Sequence, residues 1–176
     1  EEMEKALSTI LREEVKITGA GRTDTGVHAR KIYAHFDTEK EVSDQLADRL
    51  NAFLPADISV QNIFPVKDDF HARFDATYRT YEYLIFQGKD PFSIESAWQM
   101  WKKKLDVDAM NEACKILFEY TDFSSFAKVG ADNKTNLCTI YKAEWEQNGD
   151  HLKFTVSANR FLRNMVRAIV GTMVEV

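Results

Sequence analysis

The feature that most constrains this chain is a pair of alternating runs, LCTIYKAEWEQ and HLKFTVSA, joined through Asn148-Gly149. An Asn-Gly step between two period-two segments is the strongest short-range signal for a β-hairpin, because Gly accepts the positive φ that a tight hairpin turn demands. The second half of the molecule is therefore expected to hold an antiparallel sheet. ARFDATYRTYEYLIF, rich in aromatic and β-branched residues, adds one long strand. Helical spacing then accounts for much of what remains. Met3, Leu7, Ile10 and Leu11 predict an opening helix, and Leu46, Leu50, Phe53 and Leu54 a second, with Ser43 as N-cap and Pro55 as its stop. A third begins near Asp106 with Val107, Met110, Cys114 and Leu117 on one face. The last starts near Asn159, with Phe161, Met165, Ile169 and Met173 aligned. ADISVQNIF reads as an edge strand interrupted by Pro65. Strands, hairpins and helices in this mixture predict an α+β fold with a largely antiparallel sheet.

Bulk properties remove several functional classes. No apolar run approaches the roughly 18 residues of a membrane span, and the acidic, amphipathic start EEMEKALSTI is unlike a signal peptide, so a cytoplasmic protein is expected. Cys114 and Cys138 lack metal-ligand spacing and are expected to be buried thiols; no metal is called for. The formal net charge is −5. That average hides a basic stretch, since Lys153 to Val174 holds four basic residues and no acidic one. Affinity for phosphates depends on the groups that touch the backbone, so a local basic face on an acidic protein is compatible with a nucleic-acid partner.

The most unusual local sequence is GAGRTDTGVHA, Gly19 to Ala29, lying between the strand-like segments VKIT and VHARKIYAHF. Polar loops of this kind between strands tend to carry function. A nucleotide-phosphate cradle is the first reading, and context rules against it: no helix begins inside the motif to aim its amides at a pyrophosphate, and no Lys-Ser or Lys-Thr pair completes a phosphate loop. No nucleotide cofactor is expected. The plain alternative is a turn in which Asp24 caps backbone amides and Arg22 is solvated.

GRTDTGVHA resembles the signature G-R-T-D-x-G-V-H-A of the TruA family of tRNA pseudouridine synthases. FHARFDATYRTYEYLIF, TDFSSFA and ANRFLRNMVRAIVG are similar, in the same order, to three further stretches of that family, and together the four span residues 19 to 171. Thr121 stands where the family loop carries His, and the family's opening Y-D-G-T-x-Y-x-G-W-Q strand and its closing segment have no match in this chain. The resemblance implies the pseudouridine synthase fold, two similar halves sharing a mixed sheet with the site in the cleft between them. The halves are expected at 1–90, with the aspartate loop, and 91–176, with the hairpin and basic helix.

The resemblance also implies a reaction: uridine in the anticodon stem-loop of tRNA becomes pseudouridine, without a cofactor, in a homodimer that binds the RNA across two subunits. It gives Asp24 the catalytic role, by addition to C1′, addition to C6 or removal of the 2′ proton. Arg22 is expected to reach the RNA and hold the flipped conformation. From the residues alone, period two puts Arg79, Tyr81 and Tyr83 on one face of a strand, and Tyr81 is expected to stack on the uracil. Arg160, Arg163 and Arg167 fall at i, i+3 and i+7 of the last helix. Arg160 and Arg163 are weighed as phosphate contacts against a merely solvated face. Arg167 matches the arginine that in the family pairs with the catalytic carboxylate and keeps it ionised. His28 and His71 are taken as structural, and His35 and His151 as surface residues. Asp122 and Phe123 are expected to shape their loop. The rival to an enzyme is a noncatalytic RNA-binding or dimerisation fragment.

Overall fold

A computed structural model describes residues 1–21, 23–130 and 133–176. The chain divides into two compact units, Glu1–Ala76 and Thr77–Val176.

In the first unit, helix α1 (Glu2–Leu11) and helix α2 (Leu46–Phe53) bury Ala6, Leu7, Leu46 and Leu50 against Val15 and Leu54. Pro55 ends α2 as expected, with Leu54 already extended. Ser43 contributes its carbonyl to Leu46 N–H; the N-cap is Gln45, which makes no side-chain cap. The expected strands on either side of the glycine loop shrink to β1 (Thr18–Gly19) and β2 (Ala34–His35), paired antiparallel. The reason is visible in the donors. Val15 N–H goes to Ser8 Oγ at 2.9 Å and Ile17 N–H to Glu4 Oε1 at 3.2 Å, so side chains of α1 satisfy what a neighbouring strand would have satisfied. ADISVQNIF is likewise not a strand. Its backbone is gripped at Val60, whose N–H reaches Asn51 Oδ1 at 2.7 Å while its carbonyl accepts from Asn51 Nδ2 at 2.8 Å.

The second unit is built on a four-stranded mixed sheet of β3 (Arg79–Phe86), β4 (Trp98–Gln99), β5 (Ile140–Asn148) and β6 (His151–Ala158), in the order β4-β3-β6-β5. Strand β3 pairs antiparallel with β6 from Arg79↔Ala158 to Phe86↔His151, and parallel with the short β4. β5 forms the expected hairpin with β6 around Gly149, whose φ of 60° supplies the positive value that a two-residue turn needs. The full-length pairing of β3 with β6 also explains why the units divide ahead of the boundary near 90. β3 starts later than its sequence suggests: residues 71–75 form a turn in which Asp75 accepts from His71 N–H at 2.7 Å.

Helices α3 (Val107–Ile116) and α4 (Met165–Met173) complete the unit. Asp106 caps α3, accepting from Ala109 N–H at 3.0 Å. The inner face of β6 sends Leu152, Phe154 and Val156 into a core with Met110, Cys114, Met165, Ile169 and Met173. Both cysteines are buried there and unpaired. α4 begins at Met165 instead of near Asn159. Asn159 is held by the sheet, accepting from Thr139 N–H at its side chain and donating its own N–H to Thr139 O, and Asn164 enters the helix at φ 69°. Among the described residues no helix is long and apolar enough to cross a membrane.

Candidate functional site

The aspartate loop runs from β1 to β2 in the first unit. Ala20 N–H donates to Tyr33 O at 2.8 Å, which closes the base of the loop. At its tip Val27 N–H reaches Asp24 O at 3.2 Å around Gly26, which has φ 83°. That conformation favours glycine, and it gives a physical role to the Gly of the motif. Asp24 is exposed, as are the residues following it through Tyr33. Arg22, expected beside it, lies outside the described residues.

A second matched stretch folds against β2 in the same unit. His35 Nδ1 accepts from Ala72 N–H at 3.1 Å, and its ring stands edge-on to His71 at 5.0 Å and to Phe70 at 6.1 Å. His35 is thus a half-buried structural residue and not the surface residue expected. His71 in turn accepts at Nδ1 from Arg73 N–H at 3.2 Å. Both imidazoles act as acceptors: His35 ties the motif FHARF to β2, and His71 closes a turn within the motif. A histidine that satisfies backbone amides this way has no free acceptor for general-base work.

The second unit presents the aromatic and basic residues. Period two holds along β3: Arg79, Tyr81 and Tyr83 lie half-buried on one face, and Thr80 and Glu82 are exposed on the other. Arg79 donates from Nη1 to Asn159 O at 3.0 Å. Tyr81 meets Phe161 edge-on, with ring centroids 5.1 Å apart. α4 packs against β3, and while burial raises the pKa of Tyr83, the positive charge of Arg167 opposes that rise. The strand motif and the helix motif therefore converge within one unit. Tyr83 was visible in the alternation but received no role from the sequence.

The expected stripe of three arginines along one helix is not formed. Only Arg167 belongs to α4. Arg163 sits before it, exposed, with its carbonyl accepting from Lys128 N–H at 3.0 Å. Arg160 is half-buried beside Cys138, where its charge works against the rise in thiol pKa that burial causes. Helical spacing between 160 and 167 has no meaning once Asn159 is bound to Thr139. Asp122 shapes its turn: its carboxylate accepts from Ser124 N–H at 2.9 Å and from Ser124 Oγ at 2.6 Å, bonds that hold its pKa low. Phe123 is fully buried behind it. Among the described residues no group of three His, Cys, Asp or Glu is arranged to hold a metal ion.

Comparison with known proteins adds a separate line of support. The pattern described as tRNA pseudouridine synthase matches residues 1–75 and 113–176. A tRNA pseudouridine synthase A of Parabacteroides distasonis is 54% identical over 176 residues, covering 99% of this chain and 69% of the relative. The protein of the same name in Bacteroides thetaiotaomicron is 54% identical over 177 residues, covering 98% of this chain and 65% of the relative. In Clostridium perfringens a tRNA pseudouridine synthase A 2 is 40% identical over 178 residues, covering 100% and 73%. The chain spans about two-thirds of the length of these curated relatives.

Proposed function

The chain belongs to the tRNA pseudouridine synthase family, and from that premise we propose that it isomerises uridine to pseudouridine in the anticodon stem-loop of tRNA, with Asp24 as the nucleophile. The observation that carries this reading is the full match of GRTDTGVHA, together with the exposure of Asp24 on a turn that Gly26 makes possible.

The chemistry asks little beyond a carboxylate and a pocket. The bond from N1 of the base to C1′ of the ribose breaks, the uracil turns, and C5 bonds to C1′ while the C5 proton leaves and N1 regains one. Product and substrate are isomers, so electrons balance without an oxidant or reductant, and the proposal needs no cofactor. Asp24 attacks as the ionised carboxylate, at C1′ or at C6, or takes the 2′ proton. Tyr81 offers an aromatic surface for the uracil, which on comparable surfaces is worth about 1–3 kcal/mol per base. Arg79 and Arg167 supply positive charge to the phosphodiester and to the developing anion. Arg22 is proposed to hold the turned-out nucleotide. Arg163 is proposed to meet a phosphate. Arg160, beside Cys138, is the weaker candidate for such a contact. The working enzyme is proposed to be a cytoplasmic homodimer.

Asp24→Asn tests the central role. The substitution keeps size and shape and removes the charge, so tRNA affinity is expected to stay within a few-fold while pseudouridine formation falls by a factor on the order of a million, as nucleophile losses do elsewhere. Chemical mapping of pseudouridine along the tRNA reads both the loss and the modified position. Product at the parent rate from Asp24→Asn would remove the role given to this aspartate. No product from the intact parent with any tRNA would leave an RNA-binding protein in place of an enzyme.

A further inference from the structure

Parallel strands cannot be joined by a tight turn, so the chain must make an excursion between β3 and β4. In this protein it is a fixed and chemically distinctive loop. Its base is closed by Met100 N–H to Phe86 O at 2.8 Å and by Gln87 Nε2 to Lys103 O at 3.2 Å, and Asp90 N–H reaches Gln99 Oε1 at 3.1 Å across it. What this scaffold displays is aromatic and basic. Phe92 is 98% exposed and Trp101 59%. Lys89 Nζ and Lys102 Nζ both lie over the indole of Trp101, 4.8 and 4.7 Å from its centroid. An ammonium on a flexible four-carbon stem is held over an aromatic face only weakly, so it can swing aside to an anion and leave the face to a base.

From Gln87 to Lys104 the chain carries four lysines against Asp90 and Glu95, whereas the protein as a whole is acidic. The surface is also continuous with the strand face described above. Trp98 stands edge-on to Tyr83 at 6.4 Å, and Tyr83 feels the charge of Arg167. The family pattern does not extend over this loop, since its matched residues stop at 75 and resume at 113, while the curated relatives align along the whole chain.

We infer that the loop Gln87–Lys104 is a second RNA-contact surface, in which Trp101 stacks on an unpaired base and Lys89 and Lys102 bind flanking phosphates. The inference rests on the proposed function in one respect, that the substrate is an RNA. Aromatic faces interleaved with cations suit single-stranded nucleic acid, since every base has a π-face and every linkage a charge. A protein partner of purely apolar chemistry would have to desolvate both ammoniums without a counter-charge, a costly exchange.

The test uses the intact protein and a tRNA transcript, with binding followed by anisotropy across a range of KCl. Trp101→Ala is expected to weaken binding by about fivefold to a hundredfold, the worth of one base stack, and Trp101→Phe to recover most of it. Lys89→Gln with Lys102→Gln is expected to lower the log-log salt slope by roughly 1.4 to 1.8, and the paired Arg substitutions to restore it. Affinity within twofold of the parent for Trp101→Ala, with an unchanged slope for the double Gln variant, overturns the inference. So does a changed sedimentation mass with unchanged RNA affinity, which assigns the surface to a second copy of the chain. A parent that shows these dependences yet makes no pseudouridine removes the proposed reaction and leaves the loop contact standing. A parent that makes pseudouridine while the loop variants bind normally removes the loop contact alone.

Discussion

The two units use one device on unequal backgrounds. In the second unit Asn111 of α3 grips the edge strand β5 at Trp145, accepting from its N–H at 2.8 Å and donating to its carbonyl at 3.0 Å. In the first, Asn51 of α2 grips Val60 in the same two-bond manner. β5 is paired on its other side with β6 along its length, so the amide finishes a ladder and blunts an edge. Val60 belongs to an extended segment with no strand partner among the described residues, so the same amide holds it alone. A side-chain clamp can satisfy one residue's backbone. A sheet needs a neighbouring chain at every second residue, and beyond the short β1–β2 pair the alternating sequences of the first unit therefore do not become strands.

The largest expected effect probes that contrast at its strong side. Phe154 is fully buried, with its ring stacked 4.9 Å from Trp145, so Phe154→Ala is expected to cost about 3–5 kcal/mol in denaturant unfolding of the second unit. Hydrogen exchange on the parent sharpens the comparison, with β6 and β3 amides protected and residues 27–33 exchanging fast. Strong protection over 27–33 would break it.

Next in size is an alkaline effect confined to the second unit, which holds both cysteines. Burial on the inner face of α3 pushes the Cys114 thiol from an ordinary value of 9.0 up to about 11. A folded-state pKa raised above the unfolded one gives stability that is present below pH 9 and lost as pH rises toward 11. The loss is at most about 3 kcal/mol. Cys114→Val is expected to remove part of that loss, with the shares of the buried Cys138 thiol and Tyr83 phenol remaining, measured by denaturant midpoints at each pH. Retention of the full alkaline loss in that variant would place its source elsewhere.

The smallest effect compares the two clamps directly. Asn111→Ala strands a part-buried N–H and carbonyl of Trp145 and is expected to cost about 1–3 kcal/mol. Asn51→Ala exposes Val60 to water, which replaces the lost bonds, so a cost below about 1 kcal/mol is expected. Equal costs measured by urea unfolding would show that the ladder behind β5 lends the clamp nothing.

Local rules made part of this molecule legible in its sequence. α3 was predictable from Asp106 and its apolar stripe, the hairpin from Asn148-Gly149, and the end of α2 from Pro55, because in each case the deciding interactions lie within a few residues. The glycine loop was legible as a motif, and Gly26 at positive φ gives that motif its physical reason. Readings failed where distant groups competed for the same backbone. Asn159 looked helical until Thr139 bound it, twenty residues away in sequence. His35 looked solvated until Ala72 donated to it across 37 positions.

What the sequence determined by itself is the family, the α+β class and the alternation that sets Arg79, Tyr81 and Tyr83 on one strand face. The family follows from the match of whole motifs, and the class and the strand face from periodicity and from residue types that act at short range. Only the tertiary structure decided which alternating segments became strands, that Arg160 and Arg163 leave the helix that keeps Arg167, and that Trp101 is displayed with two lysines over its ring. Each of these depends on pairing between residues far apart in the chain, and a one-dimensional pattern carries the propensity to pair without naming the partner.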